Sequence, residues 1–189
     1  MWNDPGETIV AGTGQAYVAP VGTALPTTAV AALNAAFYGL GYHTEEGVSI
    51  NQAVDISEFR VWQSKYVVRR VRNTEDFTLS FQLVQFNEET LPLAFGGGEV
   101  VSDGSTGFRY NPPSANDAVD ERSMVIDVID GDMVGRFVIP KGSVSEPVET
   151  SFNRTNLSQL PISFKAQEPD DGSLPWYFLT NADGFTAGS

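Results

Sequence analysis

The clearest pattern in the chain is the alternation in "DFTLSFQLVQF", residues 76–86. Phe77, Leu79, Phe81 and Leu83 fall on one side, Thr78, Ser80 and Gln82 on the other. Successive side chains of a strand point to opposite faces, so this period of two predicts a half-buried antiparallel strand. "GVSINQAVDISEFRVW", residues 47–62, repeats the pattern, with Val48, Ile50, Val54 and Ile56 opposite Ser49, Asn51, Ala53, Asp55 and Ser57. Both polar faces are mostly uncharged. "GQAYVAP", residues 14–20, reads as a short strand ended by proline. Residues 122–142 read as a hairpin with strands near 124–129 and 133–139, turned by Asp130, Gly131 and Asp132. Two more strands are expected near 143–150 and 157–165, the second with Leu160, Ile162 and Phe164 on one face.

One helix is expected, in "NEETLPLAFGGG". Asn87 is placed to cap it, Glu88 and Glu89 favour the positive end of its dipole, Pro92 is tolerated early, and the glycine run stops it. "AVAALNAAFYGLG", residues 29–41, lacks strict alternation and reads as a short helix or an irregular buried segment. Residues 99–121 are turn-rich, with one short strand. The chain thus reads as a single domain over 1–189: an N-terminal arm (1–13), a β-domain (14–167) with a helix near 88–95, and a C-terminal arm (168–189) ending in the apolar "PWYFL" and a short tail. No internal repeat is present.

Composition agrees with a β-rich domain. The 189 residues include 12 Phe, 6 Tyr and 3 Trp, and 41% are hydrophobic against 19% charged. No apolar run approaches the roughly 20 residues of a membrane helix, and membrane insertion is not expected. "MWNDPGETIV" has no basic region followed by an apolar one, so no secretory leader is expected. There is no cysteine and one histidine, His43. That removes disulfides, thiolate nucleophiles and Cys/His zinc sites. A net charge of −13 argues against a general nucleic-acid binder, which needs lysine and arginine in excess.

Candidate catalytic chemistry is thin. His43 lies beside Glu45 and Glu46 in "GYHTEEG" and could act as a general base, but no G-x-S-x-G nucleophile pattern accompanies it. "DVIDGDMVG" has aspartates in the wrong order for a calcium loop and suits a tight turn better. Adjacent acids such as Glu88 and Glu89 do not converge on one substrate. "FGGGE" lacks the Lys-Ser/Thr ending of a phosphate loop. No enzyme activity and no cofactor are expected.

The charge distribution is more informative. "EFRVWQSKYVVRRVRNTE", residues 58–75, holds Arg60, Lys65, Arg69, Arg70 and Arg72, five of the eleven basic residues, with Trp62 and Tyr66 between them. In so acidic a chain this segment reads as a contact between subunits. Trp62 and Tyr66 supply buried area, and Arg69, Arg70 and Arg72 find acids of a neighbouring copy, with Glu45, Glu46, Asp170 and Asp171 as candidates. Trp176, Tyr177 and Phe178 in the C-terminal arm form an apolar plug of the kind that finds a partner. The alternative is a carbohydrate- or protein-binding β-sandwich using Trp62, Tyr66 and Trp176 as an aromatic platform.

Four stretches in series, "GQAYVAPVGTALPTT", "YGLGYHTEEGVSI", "EFRVWQSKYVVRRV" and "FTLSFQLVQFNEETLPLAFGGG", cover about 14–98. Together they resemble the major tail protein, the tail-tube subunit, of long-tailed non-contractile bacteriophages, especially those of actinobacterial hosts. The resemblance implies a mainly β, tail-tube-type sandwich or barrel with one flanking helix and extended arms. It implies hexameric rings stacked into a hollow tube in the virion, built in the bacterial cytoplasm. Expected partners are other copies, the tape-measure protein, and tail terminator and tip proteins. Genome DNA would pass through without specific binding. The strands around 47–62 and 76–86 would match the lumen-lining hairpin, and residues 57–66 its ring-stacking loop. The family has no catalytic residues to carry over.

Overall fold

The computed structural model describes residues 8–182 and 185. Residues 1–7 of the expected N-terminal arm, and 183–184 and 186–189 of the C-terminal one, lie outside them. In chain order the elements are β1 (Thr13–Pro20), β2 (Tyr38–Gly39), β3 (His43–Arg60), β4 (Val67–Leu83), α1 (Thr90–Ala94), β5 (Glu99–Ser102), β6 (Phe108–Asn111), β7 (Arg122–Asp130), β8 (Met133–Val144), β9 (Leu160–Ala166) and β10 (Tyr177–Thr180). The mainly β class expected from the alternation is the one observed.

The main sheet runs β2-β1-β7-β8-β9-β4-β3, every pairing antiparallel, with β10 also on β8. Strand β8 changes partners along its length. Its first part carries β10 at Gly135–Val138, and its last residues, Gly142 to Val144, pair with β9. Gly142 faces Arg122 on one side and Ala166 on the other, and a Cβ there would lie 2.5 Å from the Lys165 carbonyl oxygen. Only glycine allows that approach. The sheet therefore folds over on itself. Ala16, Val18, Met124 and Ile126 from β1 and β7 join Phe77, Leu79, Phe81, Leu83, Leu160, Ile162 and Phe164 from β4 and β9 in one core.

The two ends of the strand order are also tied together. Strands β2 and β3 are separated by only Leu40, Gly41 and Tyr42. Leu40 N–H donates to the Ala16 carbonyl at 2.9 Å, and Val84 N–H donates to the Tyr42 carbonyl at 3.0 Å. The chain thus steps from the β1 side to the β4 side and gives the sandwich a barrel-like closure.

Strand β7 does not alternate, because it is covered on both faces. Ser123 to Asp127 are all buried. Met124 and Ile126 face the main core, while Val125 and Val138 are buried on the opposite face, where the irregular segment 21–37 with its buried Ala29 lies against Arg136. Arg136 and Tyr177 hold this segment down. The Arg136 guanidinium donates to the carbonyls of Ala31 at 2.7 Å and Thr28 at 3.3 Å, and Tyr177 O–H to that of Pro26 at 3.1 Å.

Three local expectations are corrected. The helix is shorter than 88–95: it spans Thr90–Ala94, and Asn87 acts a step earlier, its Oδ1 accepting from the N–H groups of Glu89 and Thr90. The three glycines that end it have positive φ, and a Cβ on Gly98 would meet the Asn111 carbonyl at 2.3 Å. The strand expected at 143–150 ends at Val144, since the next residues turn away into an irregular loop with Pro147. Residues 99–121 hold a two-stranded hairpin, β5–β6, rather than one strand.

Candidate assembly surface

Strands β3 and β4 form a hairpin much longer than the body needs. Strand β9 pairs with β4 only from Thr78 to Leu83. From Val67 to Phe77, β4 has a partner on one side only, and the outer edge of β3 has none among the described residues. At about 3.3 Å per residue, the hairpin runs some 30 Å past the last core residue, Phe77. Trp176 stacks on Phe77 with ring centres 4.1 Å apart and closes the core there. Beyond it both faces are exposed, Val54, Ile56, Phe59 and Val68 among them. An exposed double edge of this length is a template for pairing with another chain.

The two faces differ in chemistry. Strand β3 alternates unbroken, as expected: Val48, Ile50, Val54 and Ile56 continue the core face, and Ser49, Asn51, Ala53, Asp55 and Ser57 the outer one. Strand β4 carries a bulge. Asp55 pairs with Thr74 but Ile56 pairs with Arg72, leaving Asn73 as the extra residue. Its amide donates to Asp55 Oδ2 at 2.8 Å and to Ser57 Oγ at 2.6 Å. Because a one-residue shift exchanges faces, the bulge moves Arg70 and Arg72 to the apolar side. There Arg70 meets Glu58 at 3.0 Å and Arg72 meets Glu75 at 3.1 Å. Arg69 is left on the polar side, opposite Phe59.

The basic segment is thus divided by its own fold. Arg60 also reaches Glu58, at 3.4 Å. These three pairs are exposed, a setting in which an ion pair contributes about 0–1 kcal/mol. Lys65 and Arg69 pair with no carboxylate among the described residues. The end of the hairpin presents Trp62 at 99% exposure and Tyr66 at 83%. The carboxylates considered as partners are spread out: Asp170 takes Lys141 Nζ at 2.9 Å, Asp171 accepts from Ser173 N–H, and Glu46 accepts from Gln82.

The C-terminal segment folds back on its own chain. Tyr177 to Thr180 form β10 on β8, Phe178 packs against Phe137 with ring centres 4.6 Å apart, and Trp176 lies against Phe77. Trp62 is about ten residues of strand, roughly 33 Å, from the Gln52 that pairs with Phe77. The aromatic residues Trp62, Tyr66 and Trp176 therefore do not form one platform.

His43 opens β3 opposite Leu83 and packs on Phe81 at 5.4 Å between ring centres. Its Nε2 is buried with no hydrogen-bond partner among the described residues, Glu45 and Glu46 included. Burial lowers its pKa, opposed by a hydrogen bond to the Gly41 carbonyl. The unfolded chain therefore binds this proton more readily, so stability falls as pH drops through and below the ordinary histidine value of about 6.5. The thermal midpoint should fall between about pH 7.5 and 5.5, and His43→Gln should flatten that slope. An unchanged slope in the variant would remove His43 as its cause.

No curated protein matches the chain. A family model described as phage tail tube protein matches residues 1–188. The all-antiparallel sandwich with its long, two-edged hairpin agrees with that match, and the chain belongs to the phage tail tube protein family.

Proposed function

We propose that copies of this chain join edge to edge through the β3–β4 hairpin into a closed ring, and that the rings stack into the hollow tube of a phage tail. The carrying observation is the hairpin whose two edges beyond Phe77 pair with no other strand among the described residues. The β3 edge of one copy pairs with the open β4 edge of the next. Such a head-to-tail contact is heterologous and becomes finite only when the ring closes, which also removes the exposed edges. Six copies is the number the family resemblance implies.

In the ring the apolar face of the hairpin packs outward on neighbouring bodies and the polar face lines the channel. Asp55, Asp76 and Arg69 are the charged residues of that face between Ser49 and Ser80, and Asp76 already holds Lys165 at 2.8 Å. A lining of hydroxyls and amides with little net charge gives phosphates nothing to hold, so genome DNA slides through during delivery into the host. The tape-measure protein occupies the channel during assembly, and terminator and tip proteins cap the stack.

Electron microscopy of concentrated protein tests the reading. Rings with sixfold averages and tubes built from them are expected. Protein that stays monomeric at every concentration and salt would overturn it.

A further inference from the structure

Lys65 and Arg69 lie at the free end of the hairpin without a carboxylate partner among the described residues. The other end of the same hairpin has the complementary feature. A groove of about 190 Å³ crosses the polar face where β3, β4 and β9 leave the body, beside the loop after β8. Glu46 and Glu146 stand over it, and Ser49, Ser80 and Ser163 line it. Among the described residues neither glutamate meets a cation, and Glu46 accepts from the Gln82 amide at 3.3 Å. Ser163 is 8% exposed, and its Oγ has no hydrogen-bond partner. Arg69 shares the face of Ser49 and Ser80, because β3 alternates without interruption from Ser49 to the Phe59 that pairs with Arg69.

We propose that this groove is the socket for the hairpin end of a copy in the adjacent ring, with Lys65 and Arg69 of that copy seated between Glu46 and Glu146. The inference rests on the tube-forming reading and names the residues of the stacking contact within it. Two features at opposite ends of one strand pair meet only when copies stack end to end along the strands, at the rim where the face of one ring continues into the next, and not in the side-by-side edge pairing within a ring. Two carboxylates facing hydroxyl groups suit a cationic head group. At about 30 Å³ per water, the groove holds a handful of waters, space that the Lys65 ammonium and the Arg69 guanidinium would fill. Each pair is worth little when exposed, but every subunit of a ring repeats it, so the contributions act together. The Lys65 and Arg69 side chains also gain a role distinct from Arg60, Arg70 and Arg72, which are neutralised at home.

The test is a charge exchange on the full chain. Glu46→Lys with Glu146→Lys should leave rings visible by microscopy while raising the concentration at which tubes form by at least tenfold. Lys65→Glu with Arg69→Glu should do the same. Combining all four changes should restore tube formation to within a fewfold of the unchanged protein. Higher salt should weaken stacking of the unchanged protein, since the screening length falls from about 10 Å at 0.1 M to about 3 Å at 1 M. Tubes of normal onset in either double variant would overturn the proposal, as would a fourfold variant that forms rings but does not recover. An unchanged protein that makes no rings would instead remove the tube-forming reading beneath it. Circular dichroism and the thermal midpoint separate these outcomes from misfolding.

Discussion

Arg136→Ala is expected to destabilise the subunit by about 3–5 kcal/mol, the usual cost of removing one partner of a buried ion pair. Arg136 is 5% exposed and Asp127 7%. They sit directly opposite each other on β8 and β7, and the guanidinium grips the carboxylate through Nε at 2.6 Å and Nη2 at 2.8 Å. Its remaining Nη1 donates to the Ala31 and Thr28 carbonyls. Alanine would leave Asp127 charged and unpaired under the 21–37 segment, and would release that segment from its anchor. For a chain of this size, each kcal/mol moves the thermal midpoint by about 2–4 °C, so a loss near 10 °C should be seen by calorimetry. Replacing both partners together, Arg136→Met with Asp127→Leu, should recover most of the loss because no buried charge remains. A loss below about 1 kcal/mol for Arg136→Ala would mean that the pair is far better solvated than its geometry implies.

That ion pair marks a limit of the alternation rule. Residues 76–83 are legible because one face of β4 meets the core and the other meets water, so period two survives in the sequence. In "RSMVIDVID" the aspartate stands among apolar residues on a strand buried on both faces. Nothing in the local pattern says that Arg136, nine residues on, neutralises it, because the pairing is made by hairpin register. The covering segment is equally silent. Residues 21–37 have no periodicity, and their role comes from carbonyls aimed at Arg136 and Tyr177.

The candidate surface was legible in composition but not in arrangement. The concentration of arginine with Trp62 and Tyr66 falls on the β3–β4 hairpin, the element that carries the proposed contact. Which arginines stay free depends on the bulge at Asn73, a property of two strands paired together. Asn73 alone looks like any polar strand residue; opposite Asp55 and Ser57 it becomes the pin that moves Arg70 and Arg72 beside Glu58 and Glu75. Glu146, part of the proposed socket, is silent in the sequence for a similar reason: it lies in an irregular loop, and only the fold brings it to the groove that Glu46 also lines. The apolar "PWYFL" carried its own hazard, since a stretch that needs a partner finds one in its own β8 and Phe77.

Replacing residues 56–73 with Asn-Gly should abolish assembly while leaving a folded monomer. Asp55 and Thr74 are directly paired, so a two-residue turn can join them without disturbing strands on either side. The removed residues include Trp62, Lys65, Tyr66, Arg69 and the Asn73 bulge, and all lie beyond Phe77. None belongs to the core cluster, whose β4 members are Phe77, Leu79, Phe81 and Leu83. The thermal midpoint should therefore stay within about 3 °C of the full chain's, as for changes outside a core. Sedimentation should show only monomer at concentrations where the full chain forms tubes. The expected size of the effect follows from closure: shortening both edges removes pairing on each side of every copy, so no ring can complete and no partial ring retains the gain. Adding the shortened chain in excess should also poison growth of the full chain only weakly, since it has little edge left to bind. Tubes from the shortened protein would place the ring-forming surface elsewhere on the body, while a lost fold would show that the hairpin, despite its exposure, is part of what holds the sandwich together.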